Sequence, residues 1–297
     1  MSDAASIVRA LGGRWRGRYG LCRCPAHADR DPSLSVSEGR NGGLLLHCFA
    51  GCDFRDMLAT LRGLGLVTGD GRAFAPDPEA EARRAAEDEA DRKRRVALAR
   101  RAWGEAQPIA GTLAERYLRE GRAIRAPLAP SLRFHPAAWH KPTARRYPAM
   151  VAAVVLDGEA DPVAVHRTYL AEPGRKAAVP TNKAMLGPAK GGAVRLSEGP
   201  GPLVVAEGLE TALSLLDALA GHRPRVWAAL SASGMKGLTL PAEPGELVAA
   251  PDPDRTGWDA AEALATRAHG LGWRVRILPP PGDGIDWNAA AMGRAAA

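Results

Sequence analysis

Apolar runs and amphipathic stretches alternate along the last third of the chain. Four apolar runs predict buried strands, at 203–207, 225–230, 246–250 and 273–279. The segments 210–221 and 256–270 each place apolar residues on one helical face and reach a glycine at the end, which predicts two helices. This alternation is typical of a βαβ architecture with a largely parallel sheet.

The first 66 residues follow a different pattern, which is typical of a small module. Apolar and polar residues alternate at 33–37, and an apolar run follows at 42–48, which predicts two paired strands. The segment 53–65 predicts a short helix, with Asp53 placed to cap its first free N–H groups. We therefore expect a hairpin followed by a helix.

Between these two regions the chain changes character twice. Residues 67–105 are rich in alanine and charged nearly all round, which predicts a solvent-exposed helix that links two domains. Residues 106–195 hold many prolines, and the segments 149–158 and 162–170 predict antiparallel strands joined by an Asp-Gly turn. We therefore expect four parts: a small module at 1–66, a charged helical linker at 67–105, a basic α+β subdomain at 106–195 and an α/β domain at 196–297.

Composition narrows the class of protein. Of the 297 residues, 46% are hydrophobic and 25% are charged, which favours folded domains over a disordered chain. The first residues lack the basic start and apolar core of a secretion signal, and no uncharged apolar run is long enough to cross a bilayer. The expected location is therefore the cytoplasm, with no membrane partner.

The four cysteines all lie within the first 52 residues of the chain. Such clustering is typical of a metal site rather than of a disulfide scaffold. Two tight turns about twenty residues apart can each deliver two soft or borderline donors to a tetrahedral Zn²⁺. The predicted zinc ligands are Cys24, His27, Cys48 and Cys52.

Alternatives stay open at this cluster. Cys22 and His47 lie one or two positions from predicted ligands and could replace them. Their positions argue against it, because Cys22 precedes the Pro-containing turn and His47 points to the opposite face of a strand from Cys48. The cysteines could also be reduced residues of a core, but a module this small and polar would struggle to fold without a metal.

Carboxylates follow the predicted strands of the last third. Glu207 is the last residue of one predicted strand, and Asp252 and Asp254 follow another. Asp286 follows the proline-rich segment after the last predicted strand. The carboxyl ends of parallel strands meet in one crevice, and carboxylate oxygens suit Mg²⁺, so we predict a magnesium site there. The alternative is that Asp252 and Asp254 only cap the helix that begins near Thr256.

Charge is unevenly distributed along the chain. Residues 111–195 contain 14 Lys or Arg against 6 Asp or Glu, whereas residues 196–297 contain 8 against 12. A basic block beside an acidic one suits a protein that holds a polyanion with one part and metal ions with the other. Solvated surfaces also vary in charge without any ligand, so the distribution supports this interpretation without deciding it.

The order of these motifs resembles that of DNA primases of the phage or plasmid type. VVAEGLETALS, VAAPDPDRTGWDAA and GDGIDWNAA are similar to the motifs of the Toprim domain, which bacterial primases share with topoisomerases and some nucleases. CPAHADRDPSLSVSE with LLLHCFAGCD resembles the primase zinc-binding module, a zinc ribbon. VHRTYL with KAMLGPAKGGAVRL resembles the segment before Toprim in phage and mobile-element primases, so the resemblance covers nearly the whole chain except the linker.

This resemblance implies DNA-templated synthesis of short RNA primers, with Zn²⁺ in the module and Mg²⁺ or Mn²⁺ in the Toprim domain. Glu207 would act as a metal ligand or general base, and Asp252 and Asp254 would hold Mg²⁺. Asp286 resembles a further acidic position. The implied partners are a single-stranded DNA template, ribonucleoside triphosphates and a separate replicative helicase.

Basic residues before the Toprim motifs are candidates for binding the triphosphate or the template backbone. They are Arg167, Lys183 and Lys190, through bidentate arginine contacts and lysine point charges. Thr211 and Ala289 depart from the family pattern, because many relatives have an acidic residue at these positions. The number of bound metal ions therefore stays open.

Three rival functions are compatible with parts of this pattern. A topoisomerase needs a tyrosine nucleophile and a gate of several hundred further residues, for which the chain has no room. A Toprim nuclease uses the same metal site to direct water at a phosphodiester, but the zinc module and the basic segment favour synthesis. A non-catalytic zinc-containing DNA-binding accessory protein would not need Glu207 together with both aspartates.

Overall fold

The structure, a computed structural model, describes residues 4–29, 31–39, 43–67 and 78–296. The chain divides into two compact units, Met1–Ala90 and Asp91–Ala297. Gly42 and residues 68–77, which belong to the predicted hairpin and linker, lie outside the described residues. Within the described ranges, no helix is both long and apolar enough to traverse a bilayer.

The first unit is built on a four-stranded antiparallel sheet in the order β1-β2-β3-β4. Its elements are α1 (Ala4–Ala10), β1 (Arg14–Trp15), β2 (Tyr19–Cys22), β3 (Leu34–Glu38), β4 (Leu44–Cys48) and α2 (Phe54–Gly63). β3 and β4 confirm the predicted hairpin, with Leu34 opposite Cys48. The predicted helix is confirmed as α2, and Asp53 caps it by accepting a 2.8 Å hydrogen bond from the Arg55 N–H.

The core of this unit is small. Strand alternation directs Leu34 and Val36 of β3 inward, where they meet Ile7 of α1 and Leu61 of α2. Three of the ten buried residues in this cluster are cysteines. So few apolar side chains supply little folding free energy, which fits a unit that a metal ion stabilises.

Helix α3 (Pro78–Gly104) contains the boundary between the two units. Its side chains are charged nearly all round, and most of those that the structure describes are exposed. Ala99, near the C-terminal end, is an exception and is fully buried against Val151 and Val165. The structure therefore contains the predicted helix at Pro78–Gly104.

An antiparallel sheet forms the first part of the second unit. It contains β5 (Gln107–Pro108), β6 (Leu132–His140), β7 (Arg145–Val154), β8 (Ala164–Ala171), β9 (Arg175–Lys176) and β10 (Lys183–Leu186). The strand order is β10-β8-β7-β6-β5, β9 pairs with β8, and helix α4 (Leu113–Arg122) contacts β6, β7 and β8. The predicted hairpin is confirmed, with Val154 of β7 opposite Ala164 of β8.

A second sheet, the C-terminal sheet, follows in the order β11-β13-β12-β14-β15. Its strands are β11 (Val194–Glu198), β12 (Leu203–Ala206), β13 (Arg225–Ala228), β14 (Glu246–Ala250) and β15 (Arg274–Ile277). The helices are α5 (Leu209–Ala218), α6 (Ala232–Lys236), α7 (Arg255–Gly270) and α8 (Trp287–Ala296). The four predicted strands and both predicted helices are confirmed. β11, which pairs antiparallel at the edge, and helices α6 and α8 were not predicted.

The topology of the C-terminal sheet creates a crevice. The chain runs from β12 to β13 on one side and then places β14 on the other side of β12, all in parallel. Such a reversal leaves a switch point at the carboxyl ends of β12 and β14, where ligands bind in open α/β sheets. One buried cluster joins this sheet to the antiparallel sheet through Leu118 of α4, Met150 of β7 and Leu213 of α5. The crevice is therefore held against the basic subdomain by a shared core.

Candidate active site and metal centres

The first candidate centre lies in the N-terminal unit. Cys24, His27, Cys48 and Cys52 place their ligand atoms within 4.8 Å of one another. The His27 Nδ1 atom lies 3.2 Å from the Cys52 Sγ atom and 4.0 Å from the Cys48 Sγ atom. Ligand separations of about 3.5 Å are expected round a tetrahedral Zn²⁺ with bonds of about 2.0–2.3 Å. The donor set and its spacing therefore fit zinc.

A carboxylate behind the cluster orients two of its ligands. Asp29 Oδ2 accepts hydrogen bonds of 2.6 Å from the Cys24 N–H and 2.6 Å from the Ser33 hydroxyl. Its Oδ1 atom lies 3.6 Å from His27 Nε2. A carboxylate on the second ring nitrogen fixes a ligating histidine in one orientation, and leaves Nδ1 for the metal.

The protonation of the thiols follows from burial and from nearby N–H groups. Burial raises the pKa of Cys24 to about 12. Burial also opposes ionisation of Cys48, but N–H groups of Cys52 and Ala50 and the Ser33 hydroxyl lower the pKa of Cys48 to about 6. One thiolate is therefore favoured at neutral pH, and Zn²⁺ would stabilise the others by direct coordination.

The two spare donors lie apart from this group. Cys22 is fully buried, and its Sγ atom donates to the Leu34 carbonyl at 3.6 Å. His47 packs edge-on against Phe49, with the ring centroids 4.8 Å apart. Neither side chain joins the four donors that lie within mutual reach.

The second candidate centre lies at the switch point of the C-terminal sheet. Ala206 and Ala250, the last residues of β12 and β14, lie side by side in the parallel register, and Glu207 and Asp252 follow them. Burial raises the pKa of Glu207, and the charge of Asp252 raises it further. Burial and the charge of Asp286 likewise raise the pKa of Asp252. The predicted carboxylates therefore lie within electrostatic reach of one another.

Their hydrogen bonds distinguish the four carboxylates. Asp254 Oδ1 caps α7 by accepting a 2.7 Å hydrogen bond from the Gly257 N–H, and Asp286 Oδ1 accepts one of 2.7 Å from the Ala289 N–H. Asp254 therefore caps α7 through one of its two carboxylate oxygens. Asp252 differs, because its Oδ1 atom is buried and has no hydrogen-bond partner among the described residues. An unpartnered buried oxygen between like charges fits a divalent cation.

The carboxylate oxygens do not form a closed group in the structure. Among the described residues, the group of three or more side chains placed to hold a metal ion is the Cys/His cluster of the first unit. Glu207 and Asp252 nevertheless follow neighbouring parallel strands at the same edge of the sheet.

A glycine makes this arrangement possible. A Cβ atom on Gly257, in the first turn of α7, would lie 2.7 Å from the Asp252 carbonyl oxygen and 2.9 Å from the Asp252 nitrogen. Contacts that short cannot be relieved without a backbone shift. The absence of a side chain at Gly257 therefore allows α7 to begin directly against the loop that carries Asp252.

Two parts of the second unit match known protein families. Residues 202–297 match the Toprim domain family. This part of the chain is a Toprim domain. Residues 93–196 match a domain of unknown function (DUF7146). No curated protein sequence matches the chain at a significant level.

Crystal structures of primases resemble the chain at low identity. The zinc-binding and RNA polymerase domains of the Aquifex aeolicus primase are 14% identical, with a TM-score of 0.43, and the match covers 99% of this chain and 80% of that chain. The primase fragment of the bacteriophage T7 primase-helicase is 19% identical, with a TM-score of 0.35, over 50% of this chain and 59% of that chain. A DNA primase domain from Pseudomonas aeruginosa is 17% identical, with a TM-score of 0.33, and the match covers 53% of this chain and 52% of that chain.

One acidic residue of the Toprim domain was missed by the sequence analysis. Glu210, in the first turn of α5, is only 7% exposed. Its Oε1 atom accepts a 2.6 Å hydrogen bond from the Tyr117 hydroxyl and lies 3.3 Å from Lys176 Nζ, and its Oε2 atom lies 2.9 Å from Lys183 Nζ. Burial opposes ionisation, but the two lysines and Tyr117 hold the pKa of Glu210 well below its usual range.

No signal in the sequence could have identified Glu210. Its partners lie 27 to 93 residues away along the chain and come from strands and a helix of the preceding subdomain. In the sequence Glu210 looks like an ordinary acidic residue in the first turn of a helix, where its negative charge interacts favourably with the helix dipole. Only the tertiary structure reveals the ion pairs.

The three predicted substrate-binding cations occupy different places. Lys183 belongs to the ion pairs with Glu210, and its charge offsets part of the rise that burial causes in the pKa of Asp252. Arg167 donates a 3.0 Å hydrogen bond to the Trp139 carbonyl, with its guanidinium 5.7 Å from the Tyr169 ring centroid. Lys190 is exposed in a turn. The structure thus brings Lys183 to the acidic crevice.

Proposed function

We propose that this protein is a DNA primase, which joins ribonucleotides into short primers on a single-stranded DNA template. The observation that carries the proposal is the pair Glu207 and Asp252, which leave adjacent parallel strands at the switch point of the Toprim domain. Burial raises the pKa of both carboxyl groups, and repulsion raises it further, from Asp252 on Glu207 and from Asp286 on Asp252. A divalent cation with oxygen ligands is the partner that would relieve this repulsion.

Primer synthesis makes and breaks bonds at one phosphorus atom. The 3′-hydroxyl of one nucleotide loses its proton and attacks the α-phosphate of the next, and pyrophosphate leaves. Bound Mg²⁺ would stabilise the negative charge that grows on the entering and leaving oxygens. Glu207, Asp252 and Asp254 would hold the cation, with Asp286 as a further ligand. Glu207, half-buried and with its pKa raised, is the candidate acceptor for the hydroxyl proton.

The remaining predicted residues bind the other reactants. Lys183, beside the acidic crevice, would contact the triphosphate, and Arg167 and exposed Lys190 would contact the template backbone. The zinc module would steady the single-stranded template. A separate replicative helicase would supply that template, and the reaction would take place in the cytoplasm.

A synthesis assay tests this proposal directly. Wild-type protein is incubated with single-stranded DNA, the four ribonucleotides, one of them labelled, and either Mg²⁺ or Mn²⁺. We expect short labelled oligomers that depend on both the template and the metal. The double variant Asp252→Asn/Asp254→Asn should lose them, because it removes two of the charges that hold the cation.

Two features of the assay separate the alternatives. The control variant Asp259→Asn removes an exposed carboxylate from α7, the helix that Asp254 caps, and should keep full synthesis. Shortening of end-labelled DNA without new oligomers would favour the nuclease. Template binding without either product would favour the accessory protein, and oligomers that persist in the double variant would remove the assigned site.

A further inference from the structure

The ion pairs of Glu210 bring together three segments of the second unit. Lys176 comes from β9, Lys183 from β10 and Glu210 from α5, while Tyr117 of α4 donates to the same carboxylate. Strands β9 and β10 both pair with β8, so the sheet fixes the backbone position of each lysine. The carboxylate fixes the position of each ammonium group, because both Nζ atoms lie within 3.3 Å of a Glu210 oxygen.

The charge balance of this cluster is positive. One carboxylate faces two ammonium groups, which leaves a net charge of +1. The Glu210 side chain is 9% exposed, whereas the Lys176 and Lys183 side chains are 26% and 37% exposed. An ammonium group has three donors and only one is needed for Glu210. The cluster therefore buries its negative charge and presents N–H donors toward solvent.

Unpartnered polar atoms lie in the same region. Thr168 of β8 is opposite Lys183 in the register, and His166 lies two residues away on the same face of the strand. His166 is 7% and Thr168 is 1% exposed, yet His166 Nδ1 and Thr168 Oγ1 have no hydrogen-bond partner among the described residues. Buried polar atoms are nearly always paired in native proteins. Unused hydrogen-bonding capacity therefore lies beside the lysines.

The lysine cluster is close to the acidic crevice. The charges of Lys183 and Glu210 both affect the pKa of Asp252, and the effect of Lys183 is the larger. A nucleoside triphosphate that reacts at the crevice through its α-phosphate would place its β- and γ-phosphates beyond the reacting phosphorus atom. Two ammonium groups held beside the crevice are complementary in charge to those phosphates.

We propose that Lys176 and Lys183 form a subsite for the phosphates of the incoming nucleotide, and that Glu210 is the positioning residue that holds both ammonium groups in place. This inference rests on the proposed function and adds Lys176 and Glu210 to it. Without the carboxylate, two neighbouring ammonium groups repel each other and their long side chains move independently. Glu210 then acts on the substrate only through the lysines.

Equilibrium binding measures the effect without any catalysis. ATP binding is followed by isothermal titration calorimetry in the absence of template. We expect Glu210→Gln, which keeps the size and can still accept from Tyr117, to weaken ATP binding at least tenfold. Lys176→Met and Lys183→Met should each weaken it similarly. Glu246→Gln removes an exposed carboxylate paired with exposed Arg274 and should leave ATP affinity within twofold of wild type.

Kinetics distinguish positioning from simple structural support. In primer synthesis, Glu210→Gln should raise the KM for nucleotides about tenfold while the apparent Kd for a single-stranded oligonucleotide and kcat stay within threefold. Glu210→Asp should recover part of the nucleotide affinity. A variant damaged in its fold would instead lose kcat and template binding together. The lysine variants, whose side chains are partly exposed, still test the subsite if Glu210→Gln does not fold.

The outcomes separate this inference from the proposed function. Normal ATP affinity in all three variants, or no ATP binding by the wild type, would overturn the subsite. Weakened oligonucleotide binding with unchanged ATP binding would overturn it too, since the lysines would then contact template phosphates. If the wild type makes no primers but the variants lose ATP affinity, the primase proposal fails and the subsite stands.

Discussion

Single residues of the same chemical type take different roles in this protein, and their surroundings decide which. Cys22 and Cys24 are two positions apart, but Cys22 donates to a carbonyl in the core whereas Cys24 joins the four-donor cluster. Asp252 and Asp254 differ in the same way, because one has an unpartnered buried oxygen and the other caps a helix. Predictions about such residues therefore need matched pairs of variants.

The cysteines provide the first pair. Wild-type protein should contain one zinc ion per chain, measured by inductively coupled plasma mass spectrometry. Cys48→Ser should lose the ion, because it removes one of four ligands. Cys22→Ser should keep it, because the serine hydroxyl can still donate to the Leu34 carbonyl. Equal zinc content in the two variants would contradict the assigned ligand set.

His166 predicts a dependence of stability on pH. Burial and the charge of Lys183 lower its pKa from 6.5 to about 4, so the folded protein keeps the imidazole neutral. The contribution of the neutral His166 imidazole to stability is complete above pH 6.5. It is lost as the pH falls toward 4, because His166 takes up a proton in the unfolded chain before it does so in the folded protein. The total loss is on the order of 3 kcal/mol.

Denaturant unfolding at several values between pH 7.5 and 4.5 measures this loss. His166→Gln should make the decrease in the free energy of unfolding shallower. His269→Gln, which replaces an exposed histidine on α7, should follow the wild type. Parallel curves for all three proteins would show that His166 is not held neutral by the fold.

At the scale of elements, the start of α7 is the segment on which the acidic crevice depends. Asp254 caps the helix and Gly257 lets it approach the Asp252 loop. A change in this turn therefore alters the position of a metal ligand even when no ligand is replaced. The other end of α7 has no such constraint, because a Cβ atom on Gly270 would meet nothing within 4 Å.

The two glycines of α7 test this difference. Gly257→Ala should reduce primer synthesis at least tenfold and lower the free energy of unfolding by about 1–3 kcal/mol, as overpacking does. Gly270→Ala should keep full synthesis and gain up to about 1 kcal/mol, because alanine favours a helix more than glycine. Thermal unfolding and the synthesis assay supply both values. Full activity in Gly257→Ala would show that the loop tolerates displacement.

At the scale of the whole molecule, the sequence predicted what is local and missed what is assembled from distant segments. The strands at 203–207 and 246–250 were predictable because parallel buried strands are continuously apolar. The Cys/His cluster was predictable because the spacing of its four residues is local to two turns. Edge strand β11 and short helix α6 carry no strong periodicity and were missed. The Glu210 ion pairs were missed because three separate elements build them.

We propose that Glu207, Asp252 and Asp254 hold one divalent cation in the Toprim domain. Titration with Mn²⁺, with the free ion measured by electron paramagnetic resonance, measures this binding. Asn at position 254 can still cap a helix, so Asp254→Asn should keep the fold while weakening the site.

We expect saturable Mn²⁺ binding by the wild type and by Asp259→Asn, and binding weakened at least tenfold in Asp252→Asn. Equal Mn²⁺ affinity in Asp252→Asn and Asp259→Asn would show that Asp252 does not hold the ion.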